Sequence, residues 1–358
     1  MTMLAIGLMS GTSLDGVDAA IAVTDGVAVE RLGTALTRPY ADATRSRLRA
    51  VLGGQGAVAE VEQEITRIHA DVVAELLQAA GLTADEVDVI GFHGHTILHR
   101  PEERRTWQIG DGALLARLTG IPVVHDFRSN DVALGGQGAP LVPVFHCALA
   151  AGIERPVAVL NLGGVGNVTW IGADDSLLAF DTGPGNALID DWALAHTGRP
   201  VDEDGGLARA GHADLARVER FAAHPYFAQV PPKSLDRDDF RKLANGLVEG
   251  MAAADGAATL TAFTARAVAL ARQHFPQPAR RWLVCGGGRH NPAVMAALSA
   301  ELGVPVEKVE NVGWDGDALE AQAFAYLAVR SLRGLPLTFP ETTGGPHPAT
   351  GGRLHPVA

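Results

Sequence analysis

The sequence predicts an α/β protein built as two similar domains that face a central cleft. Three observations carry that reading. Apolar runs of strand length alternate with longer segments of helical period. Four glycine-rich turns, at 10–16, 163–167, 182–186 and 286–288, each follow a run of strand type. A strand–glycine turn–strand unit occurs once in each half, which suggests two domains of one plan. The length of 358 residues fits about two domains at roughly 150 residues each.

In chain order, residues 3–9 are apolar, the polar loop 10–16 follows, and 17–23 is apolar again, so the start reads as strand, turn, strand. Val61, Ile65, Ile68, Val72 and Leu76 recur at helical spacing over 61–80, and Gly81 supplies a stop. Residues 87–92 form a buried-strand candidate feeding His93-Gly94-His95, and 121–124 form another running into Asp126 and Arg128. The Gly- and Pro-rich stretch 130–143 reads as the passage between domains or a loop lining the cleft. In the second half, 157–162 leads through the turn 163–167 into 168–171, and 177–180 is a strand ending in Asp181. Helices are expected over 187–196, 259–275 and 318–333, with a strand at 281–284. The tail 342–358 has turn composition and is either a docked loop or a mobile end. The expected domains are 1–132 and 133–358, with the first able to receive the tail.

Composition narrows the function. Hydrophobic residues make up 47% and charged residues 20%, enough apolar material for a sizeable core. The net charge of −12, with no basic block, argues against a nucleic-acid partner, because such a chain repels a phosphate backbone. Cys147 and Cys285 lie in apolar runs without metal-ligand spacing or a disulfide framework, which suits a reducing compartment. The N-terminus lacks a basic signal-peptide region, and no uncharged apolar stretch approaches the roughly 20 residues that span a bilayer. A cytoplasmic protein with no membrane partner is expected.

The glycine turns carry the chemistry. Glycine after a strand permits close backbone approach and lets successive N–H groups point at an anion. Ser10, Thr12 and Ser13 add hydroxyl donors. No Gly-Lys dipeptide occurs, which excludes a Walker A loop, and the dinucleotide-like GQGAVA at 54–59 does not follow a strand. Phosphate or nucleotide binding is the reading that four such turns support. Asp15 and Asp18 would repel a phosphate unless a cation such as Mg²⁺ intervenes; Asp15 also suits a plain turn. Asp181, at a strand end, reads either as a general base or as a cap for the turn and helix that follow. His93 and His95 read as polar substrate contacts, structural histidines or part of a metal site. Arg128 can hold a carboxylate bidentately or pair with a neighbouring Asp. Glu320 opens a helix, where an acidic residue is favoured by the helix dipole alone.

Several long motifs resemble those of one family. GLMSGTSLDGVD at 7–18, GHT at 94–96, QIGD at 108–111, DFR at 126–128, GGQGAPL at 135–141, NLGG at 161–164, FDTGPGN at 180–186, CGGG at 285–288 and TTG at 342–344 are similar, in order, to the anhydro-N-acetylmuramic acid kinases. The resemblance implies two ribonuclease-H-like (actin-like ATPase) domains around an ATP and substrate cleft. It implies a first phosphate loop at Gly11, Thr12, Ser13, Leu14, Asp15, Gly16, Val17 and Asp18. It implies a second at 161–167, including Asn161, Gly163 and Gly164, and an adenosine segment at 285–288, including Gly286 and Gly287. ATP and Mg²⁺ would convert 1,6-anhydro-N-acetylmuramic acid and water to N-acetylmuramic acid 6-phosphate, in recycling of cell-wall sugars. Asp181 matches the family's base, and Arg128, Glu320 and His95 match sugar contacts. A homodimer is expected, and no direct Mg²⁺ ligand is assigned. Three rival readings are an ordinary sugar kinase acting on a free hydroxyl, an actin- or Hsp70-like nucleotide switch, and a metal hydrolase built on His93-Gly94-His95.

Overall fold

The computed structural model describes residues 1–11, 13–235 and 240–357, with only the backbone described at 241–243 and 245. Thr12, one of the expected nucleotide contacts, lies outside the described residues. The chain divides into two compact units, Met1–Ala151 with Ala318–Ala358, and Gly152–Asp317.

The first unit is built on β1 (Met3–Ser10), β2 (Gly16–Thr24), β3 (Val29–Pro39), β4 (Val89–Arg100), β5 (Arg105–Ile109) and β6 (Val123–His125). Strands β1, β2 and β3 form an antiparallel meander; β4 then runs parallel to β1, and β6 parallel to β4. Along β1, Ile6 and Leu8 enter a core with Ile21, Ile65, Val72, Leu76 and Phe92. Gly7 points to the opposite face, as the two-residue strand period requires. There it pairs in register with Gly91 of β4. A Cβ on Gly7 would stand 1.7 Å from the carbonyl oxygen of Ala321, and one on Gly91 2.0 Å from that of Phe324. The helix Leu319–Leu332 therefore lies directly on this glycine pair.

The second unit repeats the plan with β7 (Val157–Leu162), β8 (Val165–Ile171), β9 (Leu177–Pro184), β10 (Arg281–Cys285) and β11 (Val306–Lys308). Its order is β11-β10-β7-β8-β9, with an antiparallel meander followed by two parallel strands. Once the hairpin strand β5, which pairs only with β4, and the short strand Arg353–His355 outside β6 are set aside, both sheets share one five-strand order, β3-β2-β1-β4-β6 in the first and β9-β8-β7-β10-β11 in the second, the ribonuclease-H-like topology that the motifs implied. The alanine-rich helix Ala253–Ala271 packs into its core beside Trp282, Phe180 and Leu160.

The domain division differs from the expected 1–132 and 133–358. Residues 130–143 are not an interdomain passage: they include the end of the helix Ser129–Leu134 and lead into the helix Pro143–Leu149, inside the first unit. Helix Leu319–Leu332 and the tail also belong there. Buried Asp131 explains the tail. It accepts hydrogen bonds from Gly138 N (2.7 Å), Thr338 Oγ1 (2.6 Å) and Thr343 Oγ1 (2.8 Å), and β12 (Arg353–His355) then pairs with β6. The tail is docked.

Candidate active site

In the second unit, three of the four glycine segments converge. The carbonyl of Gly163 accepts Asn186 N at 2.8 Å, and that of Gly164 accepts Gly185 N at 3.0 Å. The β7–β8 turn thus serves the orphan N–H groups at the start of the helix Ala187–Thr197. Gly286, at φ 73°, closes the cluster: a Cβ there would stand 2.3 Å from Oδ1 of Asn161. At Gly163 and Gly287, by contrast, a Cβ would find no protein atom closer than 3.7 and 3.9 Å. These two glycines keep backbone exposed where a side chain would have had room, which suits close approach by a ligand. Buried Arg289 holds the 286–290 turn, donating to Glu310 at 2.8 Å and to the Gly286 carbonyl at 3.0 Å, with Asp317 at 2.9 Å.

Asp181 lies inside β9, not at a strand end as the apolar run suggested, because β9 continues to Pro184. It sits opposite Asn167, beside a bulge between Gly166 and Asn167 that re-aims side chains locally. It does not cap the following helix. Instead the segment 226–235 clamps it: Asp181 N donates to the Lys233 carbonyl (3.0 Å), Tyr226 Oη to the Asp181 carbonyl (2.7 Å), and Leu235 N to Asp181 Oδ2 (2.8 Å). Burial pushes the carboxyl up to about 7, against the lowering effect of the Leu235 N–H. Lys233 ties the segment to itself through the Tyr226 and Phe227 carbonyls at 3.0 and 3.2 Å and stands 4.6 Å from the Tyr226 ring centre; burial lowers its pKa to about 8.

In the first unit, the 10–16 turn is closed by Leu14 N donating to the Gly11 carbonyl at 3.1 Å, with Leu14 at φ 61°. Gly16 is sterically required, since a Cβ would stand 2.4 Å from the Arg38 carbonyl oxygen. Leu14 and Val17 are core residues, so their side chains are withheld from any ligand. Ser13 donates to Asp15 at 2.7 Å and Thr37 to Asp18 at 2.5 Å. Asp15 is exposed and Asp18 half-buried, so the loop presents two carboxylates of the hard-oxygen type that Mg²⁺ prefers.

The sugar-contact candidates behave differently from one another. Arg128 donates from Nε to His93 Nε2 at 3.1 Å and from Nη1 to the Gly138 carbonyl at 2.7 Å, and its Nη2 lies 3.0 Å from the same ring nitrogen. His93 Nδ1 lies 2.9 Å from the Gly94 carbonyl, so that nitrogen carries the proton and Nε2 accepts. Burial, then Arg128, holds His93 well below the usual range and therefore neutral. Burial lowers Arg128 to about 10, with Glu320 and Asp131 opposing. Glu320 stands open to solvent in the first turn of its helix; the protein packed about its carboxyl raises its pKa, Arg128 lowers it, and Asp18 and Asp15 raise it further. His95 is fully buried, with Nδ1 2.9 Å from Ser10 Oγ, so it presents no surface to a substrate. The two histidines of His93-Gly94-His95 thus serve different partners, and among the described residues no group of three side chains is placed to hold a metal.

Sequence reasoning missed Tyr40, Tyr226, Lys233 and the role of His93. No local pattern marks Tyr226 or Leu235, which reach Asp181 across 45 and 54 residues.

Two sheets of one topology, glycine turns at strand ends and a carboxyl tuned close to neutrality are the parts of a phosphoryl-transfer enzyme, a kinase. The family model for anhydro-N-acetylmuramic acid kinase matches residues 3–357. The chain belongs to the anhydro-N-acetylmuramic acid kinase family. It is 68% identical over 353 residues to the anhydro-N-acetylmuramic acid kinase of Paramagnetospirillum magneticum, covering 99% of both chains. It is 59% identical over 361 residues to that of Rhodospirillum rubrum, covering 99% of this chain and 94% of the relative. Among solved structures, component A of (R)-2-hydroxyglutaryl-CoA dehydratase from Acidaminococcus fermentans aligns over 91% of this chain and 99% of its own at TM-score 0.47 and 14% identity.

Proposed function

We propose that this kinase opens 1,6-anhydro-N-acetylmuramic acid with water and phosphorylates O6, using ATP, to give N-acetylmuramic acid 6-phosphate and ADP. The anhydro bridge leaves no hydroxyl on C6, so O6 becomes an acceptor only when its bond to C1 breaks. Asp181 takes a proton from water as the water oxygen bonds to C1. The C1–O6 bond breaks and O6 bonds to the γ-phosphorus, while the bond from that phosphorus to the β–γ bridging oxygen breaks and ADP leaves with the oxygen. The observation that carries this reading is the Asp181 carboxyl: one oxygen is anchored by Leu235 N–H, and burial tunes the group to about 7, where a base works at physiological pH.

Arg128, oriented by His93, suits the lactyl carboxylate of the sugar, and Glu320 suits a sugar hydroxyl. Gly11, Ser13, Leu14, Asp15, Gly16, Val17 and Asp18 in the first unit, and Asn161, Gly163, Gly164, Gly286 and Gly287 in the second, are the residues we assign to ATP. Asp15 and Asp18 suit Mg²⁺, directly or through water; the ion would neutralise charge on the transferring phosphoryl group. The reading places the enzyme in cytoplasmic recycling of peptidoglycan sugars, as a homodimer. Both cysteines are thiols, which suits a reducing compartment.

The test is isotopic. In ¹⁸O-water the label should appear at C1 of the product and not in its phosphate. Product without label at C1 would mean an ordinary hydroxyl kinase and would overturn the mechanism.

A further inference from the structure

Three buried side chains form one hydrogen-bonded chain behind the 10–16 loop. Ser10 is 1% exposed, Tyr40 4% and His95 0%. Ser10 Oγ stands 2.8 Å from Tyr40 Oη and 2.9 Å from His95 Nδ1. The chain joins three strands' worth of backbone. Ser10 closes β1, Tyr40 follows β3, and His95 pairs with Ser10 in β4 just past a register shift. Gly94, at φ 72°, makes the bend that brings His95 there. Tyr40 also holds the far side of the loop, because its backbone N–H donates to the Asp15 carbonyl at 2.9 Å. One residue therefore grips both the entry and the exit of the turn.

The direction of the chain follows from its one unmatched atom. His95 Nε2 is buried and, among the described residues, has no partner. A buried N–H without an acceptor is the rarer orphan, so the proton is assigned to Nδ1. His95 Nδ1–H then donates to Ser10 Oγ, and Ser10 Oγ–H donates to Tyr40 Oη. Burial lowers His95 to about 4 and raises Tyr40 to about 12, so neither changes charge near neutrality.

We infer that Tyr40 and His95 are positioning residues of the kinase reaction, which act through Ser10 to hold the 10–16 loop in one geometry for nucleotide phosphates. The inference rests on reading that loop as a phosphate site. It also reassigns His95, which the motif resemblance offered as a sugar contact: its working atom is Nδ1, turned to the loop.

The experiment uses the full chain and compares Tyr40→Phe, His95→Leu and His95→Asn, because the Asn side-chain amide can supply a donor where Nδ1 stood but nothing at Nε2. Michaelis constants for ATP and for the anhydro sugar are measured separately, with ATP affinity by calorimetry and Tm as a fold check. Tyr40→Phe and His95→Leu should weaken ATP by about fivefold, the worth of one hydrogen bond, and leave the sugar constant unchanged. His95→Asn should recover most of the ATP affinity lost in His95→Leu. Unchanged ATP affinity alongside a lowered Tm would overturn the inference by making the chain merely structural. A raised sugar constant in His95→Asn would overturn it by restoring a direct sugar contact. A wild-type chain that binds no ATP would sink the phosphate-site reading itself, a result distinct from both.

Discussion

Leu235 donates its backbone N–H to Oδ2 of Asp181 at 2.8 Å, and among the described residues no donor reaches the other carboxyl oxygen. One oxygen is fixed and the other can receive a proton. The hydrogen bond stabilises the charged form and burial opposes it, and burial wins, with the pKa raised to about 7.

Turnover should therefore rise with pH through an apparent pKa of about 7, because the ionised carboxylate is the active form. Asp181→Asn should lose about a hundredfold to ten-thousandfold in kcat while ATP binding survives. A coupled ADP-release assay with the anhydro sugar checks both. Near-normal turnover in the variant would remove Asp181 from its role.

The same residue should cost stability. An unfolded aspartate titrates near 3.8 and the folded one near about 7. Between those values the native state keeps a proton that the unfolded state has released, so stability falls as pH rises through the window. Asp181→Asn removes that loss. Its Tm should exceed the wild-type Tm at about pH 8 and match it at about pH 3, read by thermal unfolding at each pH. A variant less stable at the higher pH would contradict the assigned shift.

Arg128→Met should raise the Michaelis constant for the anhydro sugar by about tenfold to a hundredfold, the range for a charged hydrogen bond. The analogue without the lactyl carboxylate separates the roles: it should bind wild type and variant alike. Equal penalties on both sugars would make Arg128 a structural residue held by His93.

Much of this was legible in the sequence. Three of the four glycine turns marked strand ends, while the turn expected at 182–186 begins inside β9, which runs to Pro184; the repeated strand–turn–strand unit announced the duplicated plan. Strand β3 escaped notice because VERLGTALTRP at 29–39 has a weak alternation, as suits a partly exposed edge strand. The domain division escaped because nothing local tells helix Leu319–Leu332 that its partners are Gly7 and Gly91, both more than two hundred residues earlier in sequence. Asp181 was visible as a residue type at a suggestive place. Its clamp was not, since segment 226–235 reaches it only through the fold.

Gly7→Ala and Gly91→Ala test that long-range packing. Each puts a methyl group inside the backbone of the helix, 1.7 Å from the Ala321 oxygen or 2.0 Å from that of Phe324. Each should destabilise the protein by about 3 kcal/mol or more, seen as a lowered urea midpoint. A midpoint within error of wild type would contradict the close approach.

Asp131→Ala should undock the tail. Three donors, Gly138 N and the hydroxyls of Thr338 and Thr343, lose their acceptor. Limited proteolysis should then cut within 338–352 well before the rest of the chain, whereas the wild type should resist there.

The helix that rests on Gly7 and Gly91 leaves the ribosome after all of Gly152–Asp317. A nascent chain can complete Gly152–Asp317 while the sheet that begins at Met3 still lacks its cover. Truncation before Leu319 would thus leave that sheet bare over Gly7 and Gly91, so the damage would fall on the unit made earlier and not on the one nearest the cut.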